Sequence, residues 1–518
     1  MKDNFSETQL VRKRVVPTRG GVVSAQHKKA AEAGAAILAA GGDAIDAAVA
    51  TSFAIGVVEP WMSGVAGGGA MLLWREKERK AYVVDYGMRS PGALNPADYP
   101  IVPGVAPDLF PWPRVKDDRN MQGASAVAVP GVVAGMSLAH ERFGRMPWRE
   151  TLGPAVALAN EGLLLDWYSG LLIASTARAL SMDAHAAALF LDEGKWAPLS
   201  GWTVVASRHL DQKRLAATLD AIARDGAKAL YGGDVGAALA RDLRAKGGSL
   251  ALADLASYKA GFAEPLELSY HGGRIYAAPG MTGGPALVSA LKQLRERPSY
   301  ADYARALDRA WRERLQSSGD SCTTHFTVVD REGNFCSVTQ TLLSMFGSRC
   351  VSPSTGILLN NGLMWFDPEP GKPNSLGPSK RCLGNYCPIL GETPKGERFA
   401  LGGAGGRKIV GAVLQIASFL IDHGATLEDA FHRPRIDMSG GERVVADIAL
   451  PAEELAALQA AFPVVTARRT IYPDAFARPS AVMRCNGMNM GCTEVMSPWA
   501  DTVHENSGSG SSFTRESE

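Results

Sequence analysis

At 518 residues, 46% of them hydrophobic, the chain is long enough to bury a large core, as one layered unit or as more than one domain. Its 54 Lys and Arg stand against 53 Asp and Glu, so no long-range field draws it to nucleic acid or to an anionic membrane. A small molecule is the expected partner. The first twenty residues are basic but hold no apolar run, so no secretory leader is expected and a cytoplasmic location is.

In chain order, the most apolar stretch is Ala30 to Val58, interrupted by Glu32, Asp43 and Asp46 and so unlike a membrane span. Its Ala and Ile recur at helical spacing, and Gly41-Gly42 predicts a stop between two closely packed helices. VAGGGAMLLW and then KAYVVDYG read as a glycine turn and two strands. Residues 130 to about 255 are Ala- and Leu-rich with amphipathic spacing, predicting helices that close on a turn and a short capped helix in GGSLALADLASYKA.

Beyond Pro265 strands and turns alternate, in LELSYHGGRIYAAPG and again in TTHFTVVDREGNFCSVTQTL, where Asp330 to Asn334 predicts a hairpin turn. Residues 295–320 between them are polar and charged, as expected of an exposed connection. A glycine cluster, Leu401 to Lys408, is followed by the helical run IVGAVLQIASFLID. From about residue 501 the chain reads as a disordered tail. All seven cysteines lie after residue 321, with no C-x-x-C pair, and are expected to be free thiols.

Three common chemistries lose their support at once, because G-x-S-x-G, H-E-x-x-H and G-x-x-x-x-G-K-[ST] are all absent. The nine histidines stand singly, so no metal site is expected, and nothing calls for a cofactor. What remains is Ser321-Cys322-Thr323-Thr324-His325 at the start of a strand. If the bond before Thr323 is cut, the freed α-amine, with an ordinary pKa of about 7.7 to 8.0, can serve as base for the hydroxyl of the same residue. Spacing alone equally permits a hydroxyl-rich strand edge. The cluster Gly402-Gly403-Ala404-Gly405-Gly406 is likewise open among an oxyanion-binding turn, a plain tight turn and a nucleotide loop.

The ordered strings GGDAIDAAVATSFAIGVVEP, GVAGGGAMLLW, AVPGVVAGM, LADLASYKA, TGGP, TTHFTVVDREGN, TQTLLSMFGS, GILLNN, GPSKR and GGAGGRKIV resemble the successive signatures of γ-glutamyltransferases. They run from about residue 20 to about residue 440. The resemblance implies a four-layer αββα fold of mixed α/β class, the N-terminal-nucleophile hydrolase sandwich. It implies a precursor that cuts itself into a large subunit, 1–322, and a small one, 323–518, which stay associated and build one unit. On the motifs, Thr323 matches the nucleophile, Thr341 the residue that hydrogen-bonds it, Gly405 and Gly406 the oxyanion pair, and Asn360 one of two asparagines near the glutamyl site.

Where glutathione-using relatives grip the glutamyl head group, this chain departs from the pattern. Gly87 replaces an arginine, with Arg89 two positions on as a possible substitute. Trp365 replaces an acidic residue, Gly384-Asn385 a Ser-Ser pair, and Leu343 an asparagine. The segment Lys372 to Pro378 is short for a lid. Charge-assisted hydrogen bonds to buried ions are worth roughly 1.5 to 3 kcal/mol each, so several losses together weaken selection for a zwitterion. Arg89, Asn360, Trp365 and Asn385 are the expected substrate-binding residues. The activity implied is cleavage of a γ-glutamyl or related acyl amide through an ester on Thr323. The alternatives are an acylase without glutamyl preference, and an unprocessed binding protein.

Overall fold

The computed structural model describes residues 11–106, 112–199, 207–315, 322–439 and 441–506. In chain order its main elements begin with β1 (Val22–Ala25), α1 (Lys28–Ala39), α2 (Ala44–Val58), β2 (Gly68–Arg75) and β3 (Lys80–Tyr86). A helical stretch follows, with α3 (Val132–Phe143), α4 (Trp148–Glu161) and α5 (Trp167–Leu180) leading to further helices that end at Ala256. Next come β4 (Gly261–Ala263), β5 (Leu266–Tyr270), β6 (Gly273–Ala277), α6 (Gly284–Leu291) and α7 (Tyr300–Leu315). The remainder supplies β7 (Cys322–Val329), β8 (Phe335–Leu343), β9 (Ile389–Glu392), β10 (Arg398–Ala404), α8 (Lys408–Ile421), β11 (Arg478–Cys485), β12 (Met488–Thr493) and β13 (Asp501–His504).

Seven strands form one sheet in the order β13-β1-β7-β8-β2-β3-β4, and six form another in the order β12-β11-β10-β9-β6-β5. Every pairing within these two sheets is antiparallel. Side chains alternate across each strand, so each sheet offers one face to helices and the other to the opposite sheet. On β7, Phe326 and Val328 pack toward α1 and α2, whereas Val329 packs with Leu390, Ala400 and Val482 of the second sheet. Each such fully buried aliphatic or aromatic side chain contributes about 1.5–3 kcal/mol. Leu401 and Phe399 point the other way, onto α6, α7 and α8. The result is the four-layer αββα sandwich that the motifs imply.

The break at Gly41-Gly42 falls where expected. Asp43 caps α2, accepting from the amides of Ile45 and Asp46, while Asp46 accepts from the amide of Asp43. Every residue of α2 is buried, so it serves as a central post between β7 and β8 on one side and its helical neighbours on the other. Close approach of α1 depends on small residues: a Cβ on Gly34 would stand 2.2 Å from Thr51 Oγ1. The hairpin turn is also present, with the amide of Asp330 donating to Asn334 O.

Two expectations are corrected. Residues 295–320 are not merely an exposed connection, because Tyr300–Leu315 is helix α7. Its charged residues hide a buried stripe of Ala304, Leu307 and Trp311, spaced three and four apart, which docks on the second sheet's helical layer. Nor is the chain disordered from residue 501. Asp501–His504 pairs with Val22–Ala25, covering an edge of β1 that would otherwise expose unpaired amides and carbonyls. The rest of the expected tail, from residue 507, lies outside the described residues, as does 316–321. Among the described residues six cysteines are free thiols, and no described helix is long and apolar enough to cross a membrane.

Candidate active site

β7 begins on an irregularity. The ladder with β8 steps from Thr324–Gln340 to Cys322–Leu343, so Thr323 stands out of register across from Thr341 and Leu342. Thr323 and Thr341 are both buried, and Thr341 Oγ1 accepts from the amide of Leu343 at 2.8 Å. Leu343 itself has φ of 88°, a costly conformation for a branched side chain, and it belongs to the core between the sheets. The turn after α2 holds this strand end in place. Met62 O accepts from the amide of Leu342 and Trp61 O from that of Phe346, both at 2.9 Å. Gln340 is fixed by Ser52 and Ser63, at 2.6 and 2.9 Å.

The two residues after Thr323 point to opposite layers. Thr324 donates its hydroxyl to Glu59 Oε2 at 2.6 Å, on the helical side. His325 lies on the inter-sheet side, its ring against Gly402, where a Cβ would come within 2.3 Å of Cε1. Its Nδ1 meets Thr339 Oγ1 at 2.9 Å, and burial lowers its pKa to about 3, so the imidazole is neutral.

These contacts orient the second sheet over the first. Ser337, paired with Thr327, donates to Leu401 O at 3.0 Å, whereas His325 covers Gly402. Moving down β7 from Thr327 toward Thr323 therefore moves up β10 toward Gly405. There the β10 ladder ends at the Ala404–Arg478 pair, and α8 starts at Lys408. Gly405 and Gly406 span the gap with φ of 125° and 66°, values that glycine alone adopts without strain. Their amides precede a helix start, where N–H groups run short of intrahelical partners, although the amide of Ile409 donates back to Gly406 O at 3.2 Å; such a start is suited to an oxyanion.

The remaining site candidates are placed less uniformly. The guanidinium of Arg89 turns away to Ser257 Oγ, at 2.7 Å, and Asp254 O, at 3.2 Å. The position beside Gly87 is instead taken by Arg381, whose Nη1 lies 3.9 Å from where a Cβ on Gly87 would be, and which donates to Gly87 O and to the Tyr258 hydroxyl. Asn360 is occupied with the backbone: it donates to Ala66 O and Ala128 O and accepts from the amides of Ala128 and Gly362. Trp365 is 1% exposed and packs edge-on against Tyr386. The Tyr386 ring sits over Gly384, 2.3 Å from where its Cβ would be. Asn385 Oδ1 accepts from Arg314 at 3.3 Å, and Gly384 O accepts from the same guanidinium at 2.6 Å.

The short segment after Trp365 is tied down rather than free. Asn374 donates to Trp365 O at 2.6 Å, and Lys372 pairs with Asp367 at 2.7 Å. Sequence reasoning missed Glu59, Arg314, Arg381 and Tyr386. Glu59 and Arg381 stand inside quoted motifs, GVVEP and GPSKR, but nothing in a motif reveals what its side chains face.

Two antiparallel sheets in an αββα sandwich, with a buried threonine at the irregular start of a central strand, fit the class of N-terminal-nucleophile hydrolases. The profile of the γ-glutamyltranspeptidase family matches residues 30–311 and 304–498, and the chain belongs to that family of enzymes. It is 34% identical over 473 residues to the acylase ACY 1 proenzyme of Pseudomonas sp. (strain SE83), covering 81% of this chain and 83% of that one. It is 30% identical over 499 residues to the glutathione hydrolase proenzyme of Bacillus subtilis (strain 168), covering 82% and 81%. Its fold superposes with a TM-score of 0.82 on cephalosporin acylase from Bacillus halodurans, across 97% of this chain and 99% of that one, at 23% sequence identity.

A Cβ on Gly405 would stand 3.0 Å from the backbone Cα of Ala477, so Gly405→Ala must shift the turn and re-aim its amides. With the fold intact by circular dichroism, its turnover is expected to fall roughly 10- to 100-fold. Wild-type turnover would remove the turn from the chemistry.

Proposed function

We propose that this chain is a self-processing amidohydrolase and acyltransferase in which Thr323 is both the cleavage residue and the nucleophile. The observation that carries it is the buried Thr323 at the irregular start of β7, with β10 crossing β7 where His325 covers Gly402 and running on into the Gly405–Gly406 turn. In the precursor, the Thr323 hydroxyl attacks the carbonyl of Cys322 and the peptide C–N bond breaks, leaving an ester. Water then hydrolyses that ester, releasing the Cys322 carboxylate and the α-amine of Thr323.

In the mature enzyme the α-amine takes the hydroxyl proton as the oxygen attacks the substrate amide, and the same proton passes to the departing amine. Water or a second amine then attacks the acyl ester. Thr341 supports the nucleophile across the bulge, and the amides of Gly405 and Gly406 hold the oxyanion. The two products of processing stay together for a topological reason. Residues 323–518 supply β7 and β8 between β1 and β2 of the large subunit, so separation would require breaking the ladders on both sides.

The acyl group is the finer question, since the relatives include both glutathione hydrolases and acylases. The arrangement around Gly384 favours an acyl chain without an α-amino and α-carboxylate pair. Tyr386 fills the space over Gly384, Asn385 is engaged by Arg314, Arg89 is turned toward Ser257, and Trp365 lies in the core. Few polar groups are left for a zwitterion, and an unpaired buried charge is costly.

Thr323→Ala is expected to remain one full-length chain on a denaturing gel while the wild type resolves into two. Normal cleavage in that variant would pass both roles to Thr324 or Cys322. For the processed wild type, kcat/KM on butyryl- or glutaryl-p-nitroanilide is expected to exceed that on γ-glutamyl-p-nitroanilide. A γ-glutamyl advantage of about tenfold, or 1.4 kcal/mol of transition-state preference, would overturn the argument from the pocket.

A further inference from the structure

Beside the nucleophile lies a buried acid to which the reaction described above gives no role. Glu59 follows directly on α2, as its C-terminal cap; its amide donates to Ile55 O, and its carbonyl accepts from Met62 at 3.1 Å. It is 4% exposed, and its carboxyl receives the Thr324 hydroxyl at 2.6 Å. Thr324 shares a peptide bond with Thr323, and regular pairing of β7 with β8 resumes at Thr324 after the irregularity. The turn that carries Glu59 also clamps β8 through Met62 and Trp61, so one short loop sets both sides of the irregularity.

We propose that Glu59 is a positioning residue for the chemistry of Thr323: by holding Thr324 it fixes the Thr323–Thr324 peptide and the bulge, and the rate of self-cleavage depends on it. The inference rests on the reading of Thr323 as the self-cleaving residue. Glu59 does not touch the reacting atoms, since Thr324 points to the helical layer and the glycine turn lies across the inter-sheet face. It acts through the backbone. A displacement of about 1 Å at a reacting group can lower rates about a hundredfold, which is why a fixed peptide matters here.

The charge on Glu59 is itself adjustable. Burial pushes its pKa up to about 7, against the Thr324 hydrogen bond and the charge of Arg478, which favour the ionised form, and with Asp474, which disfavours it. Tyr168, from α5, also faces this group; its hydroxyl receives Arg478 Nη1 at 2.8 Å, and Arg478 pairs with Asp474. These are the groups around Glu59: Thr324 on β7, Arg478 on β11, Asp474 just before it and Tyr168 on α5. Below about pH 7 the carboxyl is protonated and its hold on the Thr324 hydroxyl weakens; above it the carboxylate is a full acceptor.

The precursor offers a clean reading of this switch. In the mature enzyme the α-amine of Thr323 titrates in the same range, with an ordinary pKa of about 7.7 to 8.0. Before cleavage that nitrogen is a peptide amide and does not titrate. Self-cleavage therefore reports Glu59 without interference from the α-amine.

The test uses the full chain made by cell-free synthesis and chased at pH values from about 5.5 to 8.5, with cleavage followed on denaturing gels. The wild-type rate is expected to rise about tenfold across the range, with its midpoint near 7. Glu59→Gln, which keeps an acceptor but cannot ionise, is expected to cleave at about the wild-type low-pH rate with no slope. Glu59→Asp should restore a slope. A merely structural role predicts a slower Glu59→Gln with the wild-type slope intact, and that result would overturn the proposal. If Glu59→Gln fails to fold, a flat wild-type profile overturns it instead. Absence of cleavage in the wild type at every pH would defeat the reading of Thr323 as well, and so separates the two failures.

Discussion

A run of polar residues is buried at the start of a central strand, where an unmade hydrogen bond costs about 1–3 kcal/mol. Thr324 and the Nδ1 of His325 find partners in opposite layers, through Glu59 and Thr339, while His325 Nε2 and Thr327 Oγ1 are left without one. This constraint governs much of what surrounds β7. It demands an acceptor at the end of α2, a hydroxyl at position 339 on β8, and a residue with no side chain at position 402 on β10. The ladder irregularity lies next to these contacts, with Thr323 opposite Thr341 and Leu342 of β8.

The place of the Gly405–Gly406 turn follows from the same packing. His325 seated on Gly402 fixes how β10 crosses β7, and β10 runs on through the Gly405–Gly406 turn into α8. The proposed catalytic parts are thus carried on sheet strands and a helix start rather than on independent loops. Groups supported this way keep their aim through the bond breaking of processing. On the proposed cleavage before Thr323, the ladders β1–β7 and β8–β2 would join the two pieces on both sides.

Periodicity and turn chemistry made the α1–α2 break, the β7–β8 hairpin and the glycine turn before α8 legible in the sequence, because each depends on local residues. Tertiary partners obscured the rest. The stripe of Ala304, Leu307 and Trp311 is diluted by arginines and aspartates on the solvent side of α7, and Asp501–His504 becomes a strand only because β1 has an open edge. In the site, Thr323, Thr341, Gly405 and Gly406 were singled out through motifs. The arginine beside Gly87 was sought two positions along the chain, at Arg89, whereas the fold brings Arg381 from nearly three hundred residues away. Asn360 and Trp365 were legible as motif positions, but not as a backbone tie and a core side chain.

The account stands on the hydroxyl of Thr323 carrying the acyl group. The most direct measurement is intact mass of the small subunit after acid quench within a single turnover of butyryl-p-nitroanilide, followed by fragmentation of its N-terminal peptide. The account predicts a small subunit that begins TTHFTVVD and gains the mass of one butyryl group, located on Thr323. An adduct on any other residue, or turnover with no adduct at quench times shorter than one turnover, would contradict it.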